Sequence, residues 1–402
     1  MRFALLLVSL VCACGGGGSS PPALAGEPFQ VMVILEEADE GEAEDIRKEI
    51  GGVTVEQLGS SAIFLLTLDG TVPLSEVLHD LDDDARVLVS EPDYTAESPE
   101  GDPADVPVLG GDVVASIPVQ PELVALALQG AQAVSTGAGV VVGVVDTGID
   151  PAHPALAGHV LPNGFDFIGQ DFDPRDVRNL RDDDGDGVID EQYGHGTFVA
   201  SLVLAVAPDA MILPVRVLDA EGFGTSSTVA AGIIWAVDAG ADVINLSADL
   251  PDAPEMIREA IRYARDRGAL VVAAAGNVGG TDIAFPARSS DVLGVTAVDG
   301  TLRKPAFASS GSAVSLVAPG VSVLGAMPFD LSPSGTARWS GTSFATPIVA
   351  GAAALVRAAS PGLSPSAVRQ RLMDTAMSVD AMNPAFAGQL GKGLIQPLAA
   401  LQ

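Results

Sequence analysis

Between Phe29 and Tyr94 the spacing of apolar residues changes several times. Phe29 to Glu36 is an almost unbroken apolar run, Gly41 to Ile50 is polar with helical spacing, and Val53 to Leu58 and Ala62 to Leu68 read as two strands. Leu74, Val77, Leu78 and Leu81 then recur at helix spacing, and "RVLVSEPDY" closes the region with another strand. From Gly139 onward the pattern becomes near-continuous apolar strands alternating with helices: "VVVGVVD", "MILPVRVLD", "ADVINLS", "ALVVAAAGN" and "DVLGVTAVD". Strands apolar at every position are buried on both faces, which predicts a mainly parallel sheet covered by helices in a three-layer α/β domain. Ligands gather at the carboxyl ends of such strands. Asp146, Asn245 and Asn277 each end one here.

The order β-α-β-β-α-β over residues 29–97 is that of a small α+β, ferredoxin-like domain. Residues 98–120, rich in Pro, Gly and Asp and without period, predict a linker, and the α/β domain occupies 121–402. At the other end, Met1-Arg2 followed by apolar Phe3 to Val11 and "CACGGGGSS" reads as a secretory signal over residues 1–13, too short for a membrane span. "LVCAC" resembles a bacterial lipobox with Cys14 as the lipidated first residue, and residues 14–28 would then be a flexible tether. An ordinary cleaved signal is the alternative. Both readings place the protein outside the cytoplasm, secreted or held on the bacterial envelope. Cys12 and Cys14 are the only cysteines, so the mature chain has no disulfide.

The chain of 402 residues is 48% hydrophobic and can bury a large core. Its formal net charge of −32 repels phosphate backbones and argues against nucleic acid as a partner. Nothing in the sequence points to assembly, and a monomer is expected. Single residues carry little information. Asp146 in "VVDTGID" is a common turn residue, His195 in "GHGTFVAS" is a lone histidine between glycines, and Ser343 in "SGTSFATPIVAGAAALVRAA" by itself reads as the cap of a buried helix.

Asp, His and Ser in that order, each inside its own motif on one parallel-sheet domain, resemble the subtilisin-like serine proteases, the subtilases. "ILPVRVLD", "GIIWAVDAGADVINLS", "VVAAAGN", "FPA" at Phe285 to Ala287, "VAPG" at Val317 to Gly320 and "GLIQPLAAL" match as well. The N-terminal domain, ending in "VSEPDY", resembles the inhibitory propeptide many subtilases carry. The resemblance implies a subtilisin-like fold and an endopeptidase that cleaves itself between Tyr94 and Leu123. Its substrates would be proteins or peptides, with its own propeptide as an intramolecular inhibitor. His195 would be the general base, Asp146 would orient it, Ser343 would be the nucleophile, and Asn277 would donate to the oxyanion, with no catalytic cofactor. Two backbone segments would hold an extended peptide between them: Gly222, Phe223 and Gly224 on one side, and Leu246, Ser247 and Ala248 on the other.

Where the family commonly reads Ser-Leu-Gly-Gly, this chain has Ser247-Ala248-Asp249-Leu250, which puts a carboxylate at the rim of the pocket for the residue before the cut. Asp249 either favours basic substrate side chains there or points to solvent and selects nothing. Phe198, Ser201 and Phe344 replace the family's second histidine, its glycine and its methionine, all apolar or small exchanges. The acidic run Asp182 to Glu191 fits an abbreviated EF-hand-type calcium loop. Asp182, Asp184, Asp186 and Asp190 would be side-chain ligands and Val188 a carbonyl ligand, but Tyr193 stands where the bidentate Glu belongs. A solvated acidic loop is the alternative, and an ion there would be structural. A catalytically idle envelope protein that holds peptides in the same cleft is the competing functional reading.

Overall fold

The computed structural model describes residues 27–100, 107–183, 185, 187–250 and 253–402. The signal, Cys14, Asp184 and Asp186 lie outside the described residues. The N-terminal unit runs β1 (Phe29–Leu35), α1 (Glu40–Glu49), β2 (Thr54–Gln57), β3 (Ile63–Leu68), α2 (Leu74–Asp82) and β4 (Val87–Pro92). Its antiparallel sheet has the order β2-β3-β1-β4. Strand β1 is apolar from Val31 to Leu35 because both of its faces are covered there. Val31, Val33 and Leu35 pack with Ile46, Phe64 and Leu81 into the unit's own core. Met32 and Ile34, pointing the other way, join Ile233, Ile257 and Ile261 of the larger domain.

Next come β5 (Thr95–Glu97), β6 (Val108–Leu109), α3 (Leu128–Gln132), β7 (Val141–Asp146), β8 (Phe165–Asp166), α4 (His195–Val206), β9 (Met211–Arg216) and β10 (Phe223–Thr225). They are followed by α5 (Ser226–Asp238), β11 (Val243–Leu246), α6 (Glu255–Asp266), β12 (Leu270–Ala274), β13 (Leu293–Val298) and β14 (Leu316–Pro319). The last elements are β15 (Val323–Ala326), β16 (Thr336–Trp339), α7 (Thr342–Ala359), α8 (Pro365–Asp374) and α9 (Pro397–Ala400). Seven strands form the parallel sheet β14-β13-β12-β11-β7-β9-β8. Helices α4 and α7 cover one face, and α5 and α6 cover the other. The chain leaves β7 for β9 on one side and later returns as β11 on the other, which opens a crevice at the carboxyl end of β7.

Described residues of the expected linker 98–120 are held against the α/β domain. Ser98 to Glu100 lie in the crevice, and Val108 and Leu109 pair with β16. Gln120 is buried, donating to the carbonyls of Ile117 and Leu324. Short 3-10 turns occupy Val114–Val119 and Pro121–Leu126.

Candidate active site

Asp146 ends β7 and is fully buried, since the strand carries it from the core to the crevice floor. His195 is the first residue of α4, and its Nδ1 lies 2.7 Å from Asp146 Oδ1. The residue before it must be glycine. Gly194 has φ +94, and a Cβ there would collide with Met327 and Pro328. Ser343 is the second residue of α7, where the first backbone N–H groups have no partner within the helix. Asn277 follows β12, and its Oδ1 accepts from Thr342 N–H at 2.9 Å, which aims the amide nitrogen into the same space.

The chain's own segment fills that space. β5 pairs antiparallel with β10. Glu97 exchanges both backbone hydrogen bonds with Asp249, at 2.9 and 2.7 Å, and Ser98 N–H donates to Gly222 O at 2.8 Å. Gly222, Phe223, Gly224 and Asp249 therefore flank one extended strand. Leu246 and Ala248 are buried in the core beside it, and Ser247 Oγ reaches Ser343 O at 3.4 Å. Asp249 faces Glu97, two residues ahead of Pro99, rather than the residue whose carbonyl meets Asn277.

Beyond that strand, Asn277 Nδ2 donates to Pro99 O at 3.2 Å and to Glu100 Oε1 at 2.8 Å. Ser343 Oγ donates to Glu100 Oε2 at 2.6 Å, and Ser343 N–H lies 3.3 Å from Oε1. Glu100 Oε2 stands 3.4 Å from His195 Nε2, at ion-pair distance. Burial would raise the Glu100 carboxyl, but His195, Ser343 and Asn277 together hold it below its ordinary value. Burial would likewise lower His195. Asp146 on one side and Glu100 on the other push it up to about 10, so the ring is an imidazolium at neutral pH.

Two contributors were not read from the sequence. Glu100 had no signal beyond its place shortly after β5. Asp176 is buried, accepting from Gly194 N–H at 2.7 Å and from Thr147 Oγ1 at 3.0 Å, while Gly196 N–H donates to that same Oγ1 at 3.1 Å. The first turn of the histidine helix thus hangs on one carboxylate. Burial raises that carboxyl to about 8.

The described part of the acidic loop holds Asp182, Val188 and Asp190 of the expected calcium ligands. Among the described residues no group of three or more His, Cys, Asp or Glu converges. Among the described side chains of the expected ligand set, Asp190 is the buried one. Its oxygens accept from the N–H groups of Asn179 and Leu180 and from Arg178 Nε, so it clasps the loop's base. Asp182 is exposed, accepting from the N–H groups of Gly185 and Gly187, and Val188 is half-buried.

Residues 137–393 match the family model described as the subtilase family, peptidase S8. The chain is 38% identical over 255 residues to "Thermophilic serine proteinase" from Bacillus sp. (strain AK1), spanning 61% of this chain and 58% of that protein. It is 37% identical over 279 residues to thermitase from Thermoactinomyces vulgaris, covering 67% of this chain and 91% of thermitase. The crystal structure of fervidolysin from Fervidobacterium pennivorans, described as a keratinolytic enzyme related to subtilisin, superposes with a TM-score of 0.73 at 26% identity. That superposition covers 94% of this chain and 61% of fervidolysin. The family match spans the strands and helices that carry Asp146, His195, Asn277 and Ser343, and the chain belongs to the subtilase family, the S8 serine endopeptidases.

Proposed function

We propose that the protein is an extracytoplasmic endopeptidase, secreted or anchored through Cys14, made as a precursor whose N-terminal unit inhibits it until self-cleavage. The observation that carries this reading is the convergence of Ser343 Oγ, Ser343 N–H and Asn277 Nδ2 on one carboxylate, with the Asp146–His195 pair beside it. A serine hydroxyl is a weak nucleophile at neutral pH and needs a base within hydrogen-bond reach. Once the inhibitory segment leaves, His195 loses one of its two carboxylates and can take the Ser343 proton. Asp146 fixes the tautomer and stabilises the imidazolium as the acyl-enzyme forms. The Ser343 N–H and the Asn277 amide meet the developing oxyanion. One such donor is typically worth about 3 to 4 kcal/mol of transition-state stabilisation. Substrate would add a strand between β10 and Asp249, as residues 95–98 do.

No step runs through a metal, and a calcium ion at residues 182–190 would act only by ordering the loop. The competing reading, an idle peptide-binding protein, is favoured by the filled crevice. Intact mass of the wild type and Ser343→Ala, each made without the signal, separates the two. Wild type should lose its N-terminal unit while the serine variant stays whole. An uncut wild type under all conditions supports the binder.

A further inference from the structure

The register of the segment in the crevice sets Pro99 O at the Asn277 amide, so Ser343 faces the Pro99–Glu100 peptide bond. The atoms nearest Ser343, however, belong to the Glu100 side chain. Its carboxylate takes the Ser343 hydroxyl proton as a hydrogen bond, accepts the shorter of the two Asn277 contacts and stands at the inner ring nitrogen of His195. Glu100 is buried, and Gly341, beside it, leaves the room that a Cβ would take from the carboxylate.

Resting on the protease reading, we infer that the oxyanion pocket of the uncut chain is a carboxylate site closed by the Glu100 side chain, and that acidic peptides of the form Ser-Pro-Glu are its ligand class. The arrangement disarms each catalytic group separately. The hydroxyl of Ser343 points at an anion instead of at its base. His195 keeps its proton between two carboxylates. The Asn277 amide is divided between Pro99 O and Glu100, so the Pro99 carbonyl is poorly polarised. Proline adds a further handicap, since it has no N–H to extend the strand pairing toward Ser247.

The test is fluorophosphonate labelling of Ser343 in the full chain at pH 7.5, followed by intact mass so that uncut and cut molecules are scored separately. Glu100→Gln should label in uncut molecules about tenfold faster than wild type or more, as expected for loss of charge-assisted hydrogen bonds. Glu97→Gln, on the same segment but outside the pocket, should not accelerate labelling. The low-field ring N–H signals of His195 imidazolium should be present in wild type at this pH and lost in Glu100→Gln. Equal labelling of wild type and Glu100→Gln, or equal acceleration by Glu97→Gln, overturns the inference and leaves the protease reading intact. Failure of every chain to label, even after an added protease has removed the N-terminal unit, overturns both.

Discussion

The rings of Phe198 and Phe344 lie 4.7 Å apart, and Trp339 closes a third side at 5.9 and 5.0 Å from them. Phe344 and Trp339 also bracket the His195 ring, at 5.3 and 5.5 Å. Two of the three exchanges relative to the family pattern, Phe198 and Phe344, are therefore one feature, a buried aromatic wall behind His195. In a Ser343→Ala background, which prevents self-digestion, Phe198→Ala and Phe344→Ala should each lower stability by about 3 to 5 kcal/mol. The double variant should fall short of their sum by about 0.5 to 1.5 kcal/mol, because each ring loses a partner once. Urea unfolding followed by tryptophan fluorescence measures this, and strict additivity would mean that the rings act independently.

Asp176 carries a second prediction. A carboxyl raised to about 8 is largely protonated at neutral pH, and asparagine keeps its acceptor oxygen. Asp176→Asn should hold kcat within a few fold, whereas Asp176→Ala, which strands two buried donors, should cost about 1 to 3 kcal/mol in stability and lower kcat more than it changes KM. The sign with pH follows from the raised value. A carboxyl whose folded pKa lies above its unfolded one stabilises the fold below the ordinary carboxylate range and loses that contribution as pH rises toward about 8. Thermal unfolding in the Ser343→Ala background should therefore show the Asn variant gaining on the parent as pH rises through that range, and parallel curves would refute the raised value.

Much of this was legible in the sequence. Strand β1 and the five apolar strands of the large sheet follow from period and composition, and Asp146, His195 and Ser343 from motifs in family order. The residues that escaped act across long sequence distances. Glu100 meets Ser343 from 243 residues away, and nothing local marks a glutamate that will be buried. Asp176 reaches Gly194 over a span of 18 residues that contains the acidic loop. Asp190 reads as a ligand because alternating carboxylates suggest a cation, and no local pattern marks the arginine and two backbone donors that also reach it. Local pattern fixes elements and their faces, while partners of buried polar groups are set by topology.

Docking of the N-terminal unit depends on two helix ends. Glu91 accepts from the N–H groups of Glu255 and Met256 at 3.0 and 2.9 Å, at the start of α6, whose own cap residue Pro254 offers no side-chain acceptor. Asp93 accepts from Ser227 N–H at 2.8 Å, from Ser226 Oγ at 2.8 Å and from Ser227 Oγ at 2.7 Å, at the start of α5. Each acidic residue supplies, from outside the helix, the acceptor that frees no donor unpaired. Glu91→Ala should weaken docking by about 1 kcal/mol and Asp93→Ala by about 2 kcal/mol. In Ser343→Ala chains, hydrogen exchange at Ser227 and Met256 should accelerate selectively in the matching variant. Unchanged protection would remove the capping role.

Asp249 gives the prediction that tests both the crevice and its selectivity. Burial, and next the facing Glu97 carboxylate, push Asp249 up to about 7, while Arg288 pulls it down and Asp282 adds to the rise. Glu97 is raised as well, by burial. Docked carboxyls raised above their free values take up protons on docking, so their contribution is present in mild acid and fades as pH climbs toward 7. Glu100, held below its ordinary value, works the other way and is lost only on acidification through the carboxylate range. Docking of the segment should thus weaken as pH rises from the ordinary carboxylate range toward 7, without releasing Glu100. Asp249→Asn in the Ser343→Ala chain should match the parent at about pH 4 and gain progressively in unfolding temperature as pH rises toward about 7, with no further gain above it. The processed enzyme should also prefer a basic residue at the substrate position that Glu97 occupies, two ahead of the residue whose carbonyl meets Asn277. That preference should be about two- to fivefold in kcat/KM and vanish in Asp249→Asn, as expected for a partly exposed ion pair. Peptide substrates varied at that one position decide it. If the preference sits instead at the residue where Pro99 lies, Asp249 does not select through the strand contact it makes with Glu97.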